Sequence, residues 1–182
     1  ILDVRSVEDF SSSHIPGSIF IGLDGRFAPW VGEILEDISK KLILVAPEGR
    51  EKEAIIRLSR VGFDNVIGYL KGGVNSWIKN GGIISKVFNE SASKFSTCDN
   101  NKDILDVRSE NEHKSESLQN SLNIPLINLS KSIEKISFEE KFYVHCKGGY
   151  RSMIASSILL AKGISNFSNI PGGYDKIKDY NL

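Results

Sequence analysis

An internal repeat limits the folds open to this chain more than any other feature of its sequence. The hexapeptide ILDVRS occupies residues 1–6 and recurs unchanged at residues 104–109. Two further pairs of segments align at nearly the same spacing: SIFIGL (18–23) with SLNIPL (121–126), and KLILVAPEGRE (41–51) with KFYVHCKGGYR (141–151). Self-similarity over this length predicts two homologous domains rather than one large domain.

The boundary between the two predicted domains lies after the Asn-Gly-Gly turn at residues 80–82, which gives a first domain of residues 1–82 and a second of residues 83–182. About twenty residues precede ILDVRS in the second domain, whereas none precede it in the first. We therefore expect the first domain to lack an opening strand and helix, and the natural protein to continue in front of it.

Strands and helices are expected to alternate in both domains. Short apolar segments between polar turns predict strands at residues 42–46, 65–69, 83–88, 103–107, 141–145 and 166–170. Helical spacing of apolar residues predicts helices at 50–61, 74–79, 91–96, 127–136 and 151–162. This alternation indicates α/β domains, each with a mainly parallel sheet covered by helices on both faces.

Composition excludes several classes of protein. The 182 residues carry 23 basic and 23 acidic side chains, so nothing in the net charge favours nucleic acid or an anionic membrane as a partner. No apolar run is long enough to span a membrane, and the first residues do not resemble a signal peptide. Two cysteines, Cys98 and Cys146, form no disulfide framework, which predicts a reducing, cytoplasmic location.

The segment HCKGGYRS, residues 145–152, carries the strongest chemical signal. Cys146 follows a predicted strand and precedes a predicted helix, the place where parallel α/β sheets bind ligands. Gly148 and Gly149 allow the backbone to turn its N–H groups inward, and the helix N-terminus adds unpaired N–H groups. Lys147 and Arg151 add positive charge. All these features favour a nucleophilic Cys146 thiolate inside an anion-binding loop that runs from Lys147 through Tyr150 to Arg151.

A nucleophile paired with an anion site leaves three reaction classes open: sulfur transfer, phosphoryl transfer and oxyanion reduction. Four residues separate Cys146 from Arg151, one fewer than in tyrosine-phosphatase loops, and no general acid for a phosphate leaving group stands beside the loop. These two points disfavour a phosphatase. The non-catalytic alternative is a tight turn that buries a structural cysteine.

Several motifs together resemble the rhodanese family. In the second domain these are ILDVR with its downstream SLNIPL, the loop CKGGYRS, and the closing NIPGGYDKI; in the first they are ILDVR, HIPGSIFI and YLKGGVNSW. The resemblance implies a mainly parallel, five-stranded sheet in each domain. It also implies a sulfurtransferase in which Cys146 takes sulfur from thiosulfate or a persulfide and passes it to cyanide or a thiol, without a cofactor.

The resemblance further places Asp106 and Arg108 beneath the active loop, in a supporting position. Both residues recur as Asp3 and Arg5 in the first domain, where no cysteine is present. We therefore interpret them as a structural ion pair rather than as reacting groups.

The first domain is predicted to be catalytically silent. Ala46 stands where the second domain has Cys146, Pro47 removes one N–H donor, and Glu48 and Glu51 place negative charge where an anion would bind. Silent repeats of this kind resemble those that follow a metallo-β-lactamase-fold domain, often a persulfide dioxygenase. The alternative function is therefore a non-enzymatic docking or regulatory tandem domain of such a larger metallohydrolase.

Neither a metal site nor a second reactive thiol is expected in these residues. The three histidines, His14, His113 and His145, lack the spacing of metal ligands, and we interpret them as loop or packing residues. Cys98 lies in a polar segment with nothing to activate it, and we interpret it as a bystander.

Overall fold

The computed structural model describes residues 1–97 and 102–180. The chain divides into two compact units, residues 1–86 and residues 87–182. The boundary inferred from the sequence lies four residues earlier, after residue 82. Cys98 lies outside the described residues.

The first unit alternates short strands with helices. Its elements are β1 (Leu2–Asp3), α1 (Val7–Ser12), β2 (Ile19–Phe20), α2 (Phe27–Leu35), β3 (Leu42–Val45), α3 (Glu51–Ser59), β4 (Val66–Tyr69) and α4 (Gly73–Lys79). The strands form one parallel sheet in the order β2-β1-β3-β4. The apolar side chains of β1 and β3 pack against α2 and α3 on one face of this sheet.

The second unit repeats this pattern behind an additional helix. Its elements are α5 (Ala92–Thr97), β5 (Ile104–Asp106), α6 (Glu110–Ser115), β6 (Ser121–Asn123), β7 (Phe142–His145), α7 (Tyr150–Ala161), β8 (Phe167–Asn169) and α8 (Gly173–Ile177), with 3-10 helices at Leu126–Lys131, Ile133–Lys135 and Lys178–Tyr180. Its parallel sheet has the order β6-β5-β7-β8. The predicted α/β class is therefore confirmed, with two parallel sheets flanked by helices.

Each sheet has four strands, so the prediction of five strands is wrong. The predicted strand at residues 83–88 is replaced by isolated bridges, one of which joins Asn89 to Asn169 beside β8. Pairing with β8 ends there because Ser91 begins a helix: its hydroxyl accepts a hydrogen bond from the backbone N–H of Lys94 at 3.2 Å. The segment therefore leaves the sheet edge after one residue.

The helix predicted at residues 127–136 is also corrected. Two short 3-10 helices occupy this segment, and Ser132 between them has φ −127°, outside the helical region. The apolar pattern was read correctly, since Leu126 and Leu129 are buried. The spacing of these two residues suits a 3-10 turn as well as an α-helix, because positions i and i+3 share a face in both.

The two central strands of the second unit bring the functional segments together. β5 and β7 pair in register, with Asp106 opposite His145 at their carboxyl ends. All four residues of β7 are buried, and so is α7 from Ser152 through Leu159. The turn after β5 and the loop after β7 therefore emerge side by side from the same edge of the sheet.

Helix α5 covers a part of the sheet that remains open in the first unit. Phe95 of α5 packs edge-on against Tyr143, with ring centroids 5.0 Å apart, and Ile104 belongs to the same cluster. At the corresponding positions of the first unit, Ile1 and Ile43 are 46% and 44% exposed. The two units thus share a sheet topology but differ in how one face is covered.

Candidate active site

Cys146 stands directly after β7, where the sequence places it. Its side chain is buried, with 1% of the residue exposed. The backbone N–H of Gly149 donates a hydrogen bond to Cys146 Sγ at 3.1 Å. A donor at this distance stabilises negative charge on the sulfur more than a neutral thiol, because a charged acceptor forms the stronger hydrogen bond.

The loop from Lys147 to Gly149 turns the chain from β7 into α7. Gly149 has φ +98° and immediately precedes the first helical residue, Tyr150. A residue with a Cβ would be strained in this conformation, so glycine is required for the turn. The side chains of Lys147 and Gly148 are exposed, whereas Tyr150 is half-buried. The twelve-residue helix α7 thus directs its N-terminus at the cysteine loop.

The start of α8 closes over the other side of the loop. The Cys146 carbonyl oxygen accepts a hydrogen bond from the backbone N–H of Tyr174 at 2.7 Å, and that of Lys147 accepts one from Asp175 at 3.0 Å. A Cβ on Gly173 would lie 2.2 Å from the Cys146 carbonyl oxygen. The glycine pair of the NIPGGYDKI motif therefore permits a backbone approach that fixes the loop, a role that the sequence motif alone did not reveal.

Arg151 is held by a partner that sequence reasoning missed. Its two terminal nitrogens donate to the two carboxylate oxygens of Glu112, at 2.6 and 2.7 Å, in a bidentate pair. Glu112 belongs to α6, where it also accepts from the backbone N–H of Ser109 in a capping box. The Ser-x-x-Glu pattern after β5 could have located Glu112 at this edge of the sheet, although it could not have identified Arg151 as the partner.

This pair shifts the ionisation of both partners. Hydrogen bonds from Arg151, with smaller contributions from Ser109, lower the pKa of Glu112 to about 2, against the opposing effect of burial. The Glu112 carboxylate in turn raises the pKa of Arg151, and the negative charge of Cys146 acts in the same direction. Arg151 therefore lies within electrostatic reach of the sulfur while its terminal nitrogens face a carboxylate.

Asp106 and Arg108 form a buried ion pair below the loop. The Arg108 side chain donates to both carboxylate oxygens of Asp106, with the shortest distance 2.6 Å, and also to the backbone carbonyl of Glu116 at 2.7 Å. Its guanidinium lies over the ring of Tyr174, 4.2 Å from the centroid. In the first unit Asp3 and Arg5 form the same pair, so this arrangement does not depend on a cysteine.

His145 lies directly beneath the reactive loop. It is fully buried, its Nδ1 is 3.2 Å from the Cys146 carbonyl oxygen, and its Nε2 is 3.9 Å from Asp106 Oδ2. Among the described residues, Nε2 has no hydrogen-bond partner. Burial lowers the pKa of His145, opposed by the nearby Asp106 carboxylate. A neutral imidazole here supports the strand end as a packing group, without adding positive charge to the loop.

A cavity of 430 Å³ opens beside the loop. Charged side chains of both signs line it together with Tyr174: Arg108, Lys147, Lys178, Glu112, Glu116 and Asp175. The cavity thus offers a polar, mixed-charge approach to the edge of the sheet from which Cys146 emerges.

The corresponding loop of the first unit keeps the turn without the reactive groups. Gly49 has φ +80°, matching the left-handed Gly149, so the backbone follows a similar path. A cavity of 710 Å³ lies here, and Ala46, Pro47, Glu48 and Glu51 all line it. Asp9, the counterpart of Glu112, lines it as well. Where the second unit pairs a carboxylate with a guanidinium, the first unit therefore places two carboxylates.

Other features were sought across the part of the chain that the structure describes. Within residues 1–97 and 102–180, no helix combines the length and apolar character needed to cross a membrane. In the same residues, no three His, Cys, Asp or Glu side chains come together as possible ligands of a metal ion.

Comparison with known families agrees with this fold and loop. Residues 1–80 and 90–180 each match the rhodanese-like domain family. The chain therefore belongs to the rhodanese-like family and contains two such domains in tandem.

Individual relatives are more distant. The Schizosaccharomyces pombe protein named "Putative thiosulfate sulfurtransferase, mitochondrial" is 32% identical over 110 residues, which cover 51% of this chain and 76% of the relative. The uncharacterized Bacillus subtilis protein YqhL is 30% identical over 73 residues, covering 40% of this chain and 58% of YqhL. A rhodanese-related protein of Thermoplasma volcanium, whose crystal structure is known, is 26% identical and covers 50% of this chain and 91% of its own, with a TM-score of 0.46.

Proposed function

We propose that the chain is a sulfurtransferase that moves sulfane sulfur from thiosulfate or a persulfide to cyanide or a thiol through a persulfide on Cys146. The observation that carries this proposal is the hydrogen bond from the Gly149 N–H to Cys146 Sγ, at 3.1 Å, in the loop where α7 begins. Such a loop favours a sulfur anion both before and after transfer, because its donor and the helix N-terminus act on either anion.

The first half-reaction is a displacement at the outer sulfur of the donor. The Cys146 thiolate attacks this sulfur, a Cys146–sulfur bond forms, and the sulfur–sulfur bond of the donor breaks. The electron pair of the broken bond leaves with sulfite when thiosulfate is the donor, or with a thiolate when a persulfide is the donor. One negative charge moves to the terminal sulfur of the new persulfide, so charge is conserved.

The second half-reaction restores the thiolate. Cyanide or an acceptor thiolate attacks the terminal sulfur of the Cys146 persulfide and carries it away as thiocyanate or as a new persulfide. The electron pair of the broken bond returns to Cys146 Sγ, where the Gly149 N–H remains in place. Two separate steps joined by a covalent intermediate predict ping-pong kinetics.

Family membership supports this proposal at the level of reaction class. The Schizosaccharomyces pombe relative carries the name of a thiosulfate sulfurtransferase, and 32% identity leaves the donor and acceptor of this chain to be measured. We further propose that its partners are small sulfur-containing anions and thiols rather than nucleic acids or membranes, and that it works in the cytoplasm.

Intact-mass spectrometry after incubation with thiosulfate tests the proposal. We expect the wild-type chain to gain one sulfur atom, and the Cys146→Ser variant to gain none. A Cys98→Ser variant is the matched control, since it removes the second thiol of the chain and should load as the wild type does. Sulfur loading that persists in Cys146→Ser and disappears in Cys98→Ser would contradict the assignment of Cys146.

A second candidate function concerns the first unit. Its loop has Ala46 in place of the cysteine and three carboxylates around the cavity, from Asp9, Glu48 and Glu51. We propose that this unit has a docking or regulatory role, and that its partner is a fused metallo-β-lactamase-fold domain of the persulfide dioxygenase type. Deleting both rhodanese-like units from such a fusion should lower its turnover, and unchanged turnover would argue against the docking role.

A further inference from the structure

The Glu112–Arg151 pair has no assigned part in the sulfur-transfer steps above. Both terminal nitrogens of Arg151 are directed at Glu112, and the two carboxylate oxygens are occupied in return. Arg151 is nevertheless close enough to Cys146 for the sulfur charge to raise the pKa of the guanidinium. The carboxylate of Glu112 and the anion at the reactive sulfur therefore act on the same cation from two sides.

Little other formal positive charge remains free at this site. Arg108 is paired with Asp106, and Lys178 lies 3.9 Å from Asp175. Lys147 is exposed, so water screens its charge. With Arg151 balanced by Glu112, the approach of a donor depends mainly on backbone N–H groups and the α7 N-terminus, whose effective charge is only about half a unit.

The net charge of the donor becomes decisive under these conditions. Thiosulfate is a dianion that must approach a thiolate, whereas a small alkyl persulfide such as cysteine persulfide brings one net negative charge. Coulomb repulsion between donor and thiolate is about twice as large for the dianion at equal distance. A guanidinium free of its carboxylate would offset much of that difference, and the paired guanidinium offsets less.

From this arrangement we infer that Glu112 is a specificity-determining residue: by neutralising Arg151, it selects monoanionic alkyl persulfides over thiosulfate as sulfur donors. The inference rests on the proposed sulfurtransferase function and names the donor class for the same site. Glu112 acts through Arg151 and is a positioning residue rather than a catalytic one.

The Glu112→Gln variant provides the test, because glutamine removes the charge but still accepts the Ser109 N–H in a capping box. Rates of sulfur loading on Cys146 are measured by mass, with thiosulfate and with cysteine persulfide as donors. The ratio of the two rate constants, thiosulfate over persulfide, should rise roughly five- to tenfold in Glu112→Gln, the size expected for one charge acting through partly exposed protein. The rise should shrink as ionic strength increases.

Two controls separate this effect from a general change of charge. Glu116→Gln removes a carboxylate from the rim of the same cavity, where no ion pair with Arg151 is present among the described residues, and should leave the ratio near the wild-type value. In an Arg151→Gln background, Glu112→Gln should no longer change the ratio, because the coupling between the two positions has been removed.

The outcomes are distinguishable. An unchanged ratio in a Glu112→Gln chain that still loads sulfur overturns the role of Glu112 and leaves the sulfurtransferase proposal intact. An equal rise in Glu116→Gln, or a rise that survives without Arg151, also overturns it. Failure of wild-type Cys146 to take sulfur from either donor overturns both proposals.

Discussion

At the scale of single residues, Glu112 joins two features that sequence analysis treats separately. Its capping box with Ser109 begins α6, and its carboxylate holds Arg151 at the start of α7. The first of these is local and visible in the sequence, whereas the second links positions 39 residues apart. A predicted anion-binding arginine thus has a resident carboxylate partner, which changes what the loop can offer a substrate.

The Glu112–Arg151 pair should make stability depend on pH in a defined window. The folded protein lowers the pKa of Glu112 from 4.5 to about 2, so the unfolded chain binds the proton more readily. The pair therefore stabilises the fold fully above the ordinary pKa of 4.5, and this contribution is lost as the pH falls toward 2.

Comparing denaturation midpoints of wild type and Glu112→Gln between pH 7 and pH 2.5 tests this expectation. The wild-type advantage should be constant at neutral pH and narrow below pH 4.5. A difference that does not vary with pH would show that the carboxylate charge is not what stabilises the wild type.

Gly173 is required by the close approach of α8 to the cysteine loop. It has φ +55°, and an added Cβ would meet two carbonyl oxygens, those of Cys146 and Lys147. Gly173→Ala should therefore destabilise the second unit and slow sulfur loading, because the loop must shift. Gly163→Ala is the matched control: Gly163 also has positive φ, but a Cβ there meets nothing within 4 Å.

The backbone strain of an alanine in left-handed conformation is about 1–2 kcal/mol and applies to both variants. Gly173→Ala should exceed Gly163→Ala in loss of protection from hydrogen exchange along β7, and only Gly173→Ala should reduce the loading rate. Equal effects of the two variants would mean that strain alone, and not the contact with the loop, makes glycine necessary.

At the scale of secondary-structure elements, α5 distinguishes the second unit from the first. Phe95 is 1% exposed and packs on Tyr143 and the cluster around Ile104. Phe95→Ala should lower the stability of the second unit by about 3–5 kcal/mol, the cost typical of removing a buried aromatic ring. Hydrogen exchange of the β7 amides reports this loss.

Phe88→Ala is the matched control, since Phe88 precedes α5 and is 70% exposed. This variant should change stability by no more than about 0.5 kcal/mol. A small effect of Phe95→Ala would show that α5 can leave the sheet without loosening it, and that covering this face contributes little to the fold.

The elements that the sequence predicted well are those set by local pattern. The strands ending at Val45 and His145 are central and continuously apolar, so their identity is evident from a few neighbouring residues. The strand predicted at residues 83–88 failed because only one residue of this region finds a partner on β8. Edge pairing and the Glu112–Arg151 contact both depend on residues far away in sequence, which local pattern does not encode.

At the scale of the whole molecule, one loop frame occurs twice with different chemistry. Gly49 and Gly149 both adopt left-handed conformations, and each loop leads into a helix at the carboxyl end of a central strand. The turn therefore does not require the cysteine. Duplication of the frame has kept the backbone and changed the charge: Glu51 and Asp9 stand where the second unit has Arg151 and Glu112.

This comparison predicts that a cysteine alone does not make the first unit reactive. In Ala46→Cys combined with Cys146→Ser, the new thiol would face the carboxylates of Glu48 and Glu51, and Pro47 supplies no N–H to the loop. These features disfavour the thiolate and repel anionic donors. We expect no sulfur at position 46 when peptide mapping follows incubation with thiosulfate or cysteine persulfide.

A further variant, with Pro47→Lys, Glu48→Gly and Glu51→Arg added, copies the loop of the second unit and should gain sulfur at position 46. The chain with the single introduced cysteine is its matched control, because both contain the same thiol in the same turn. Sulfur loading of the single-cysteine chain at the wild-type rate would show that the strand end and the turn suffice, and that the loop charges have little influence on reactivity.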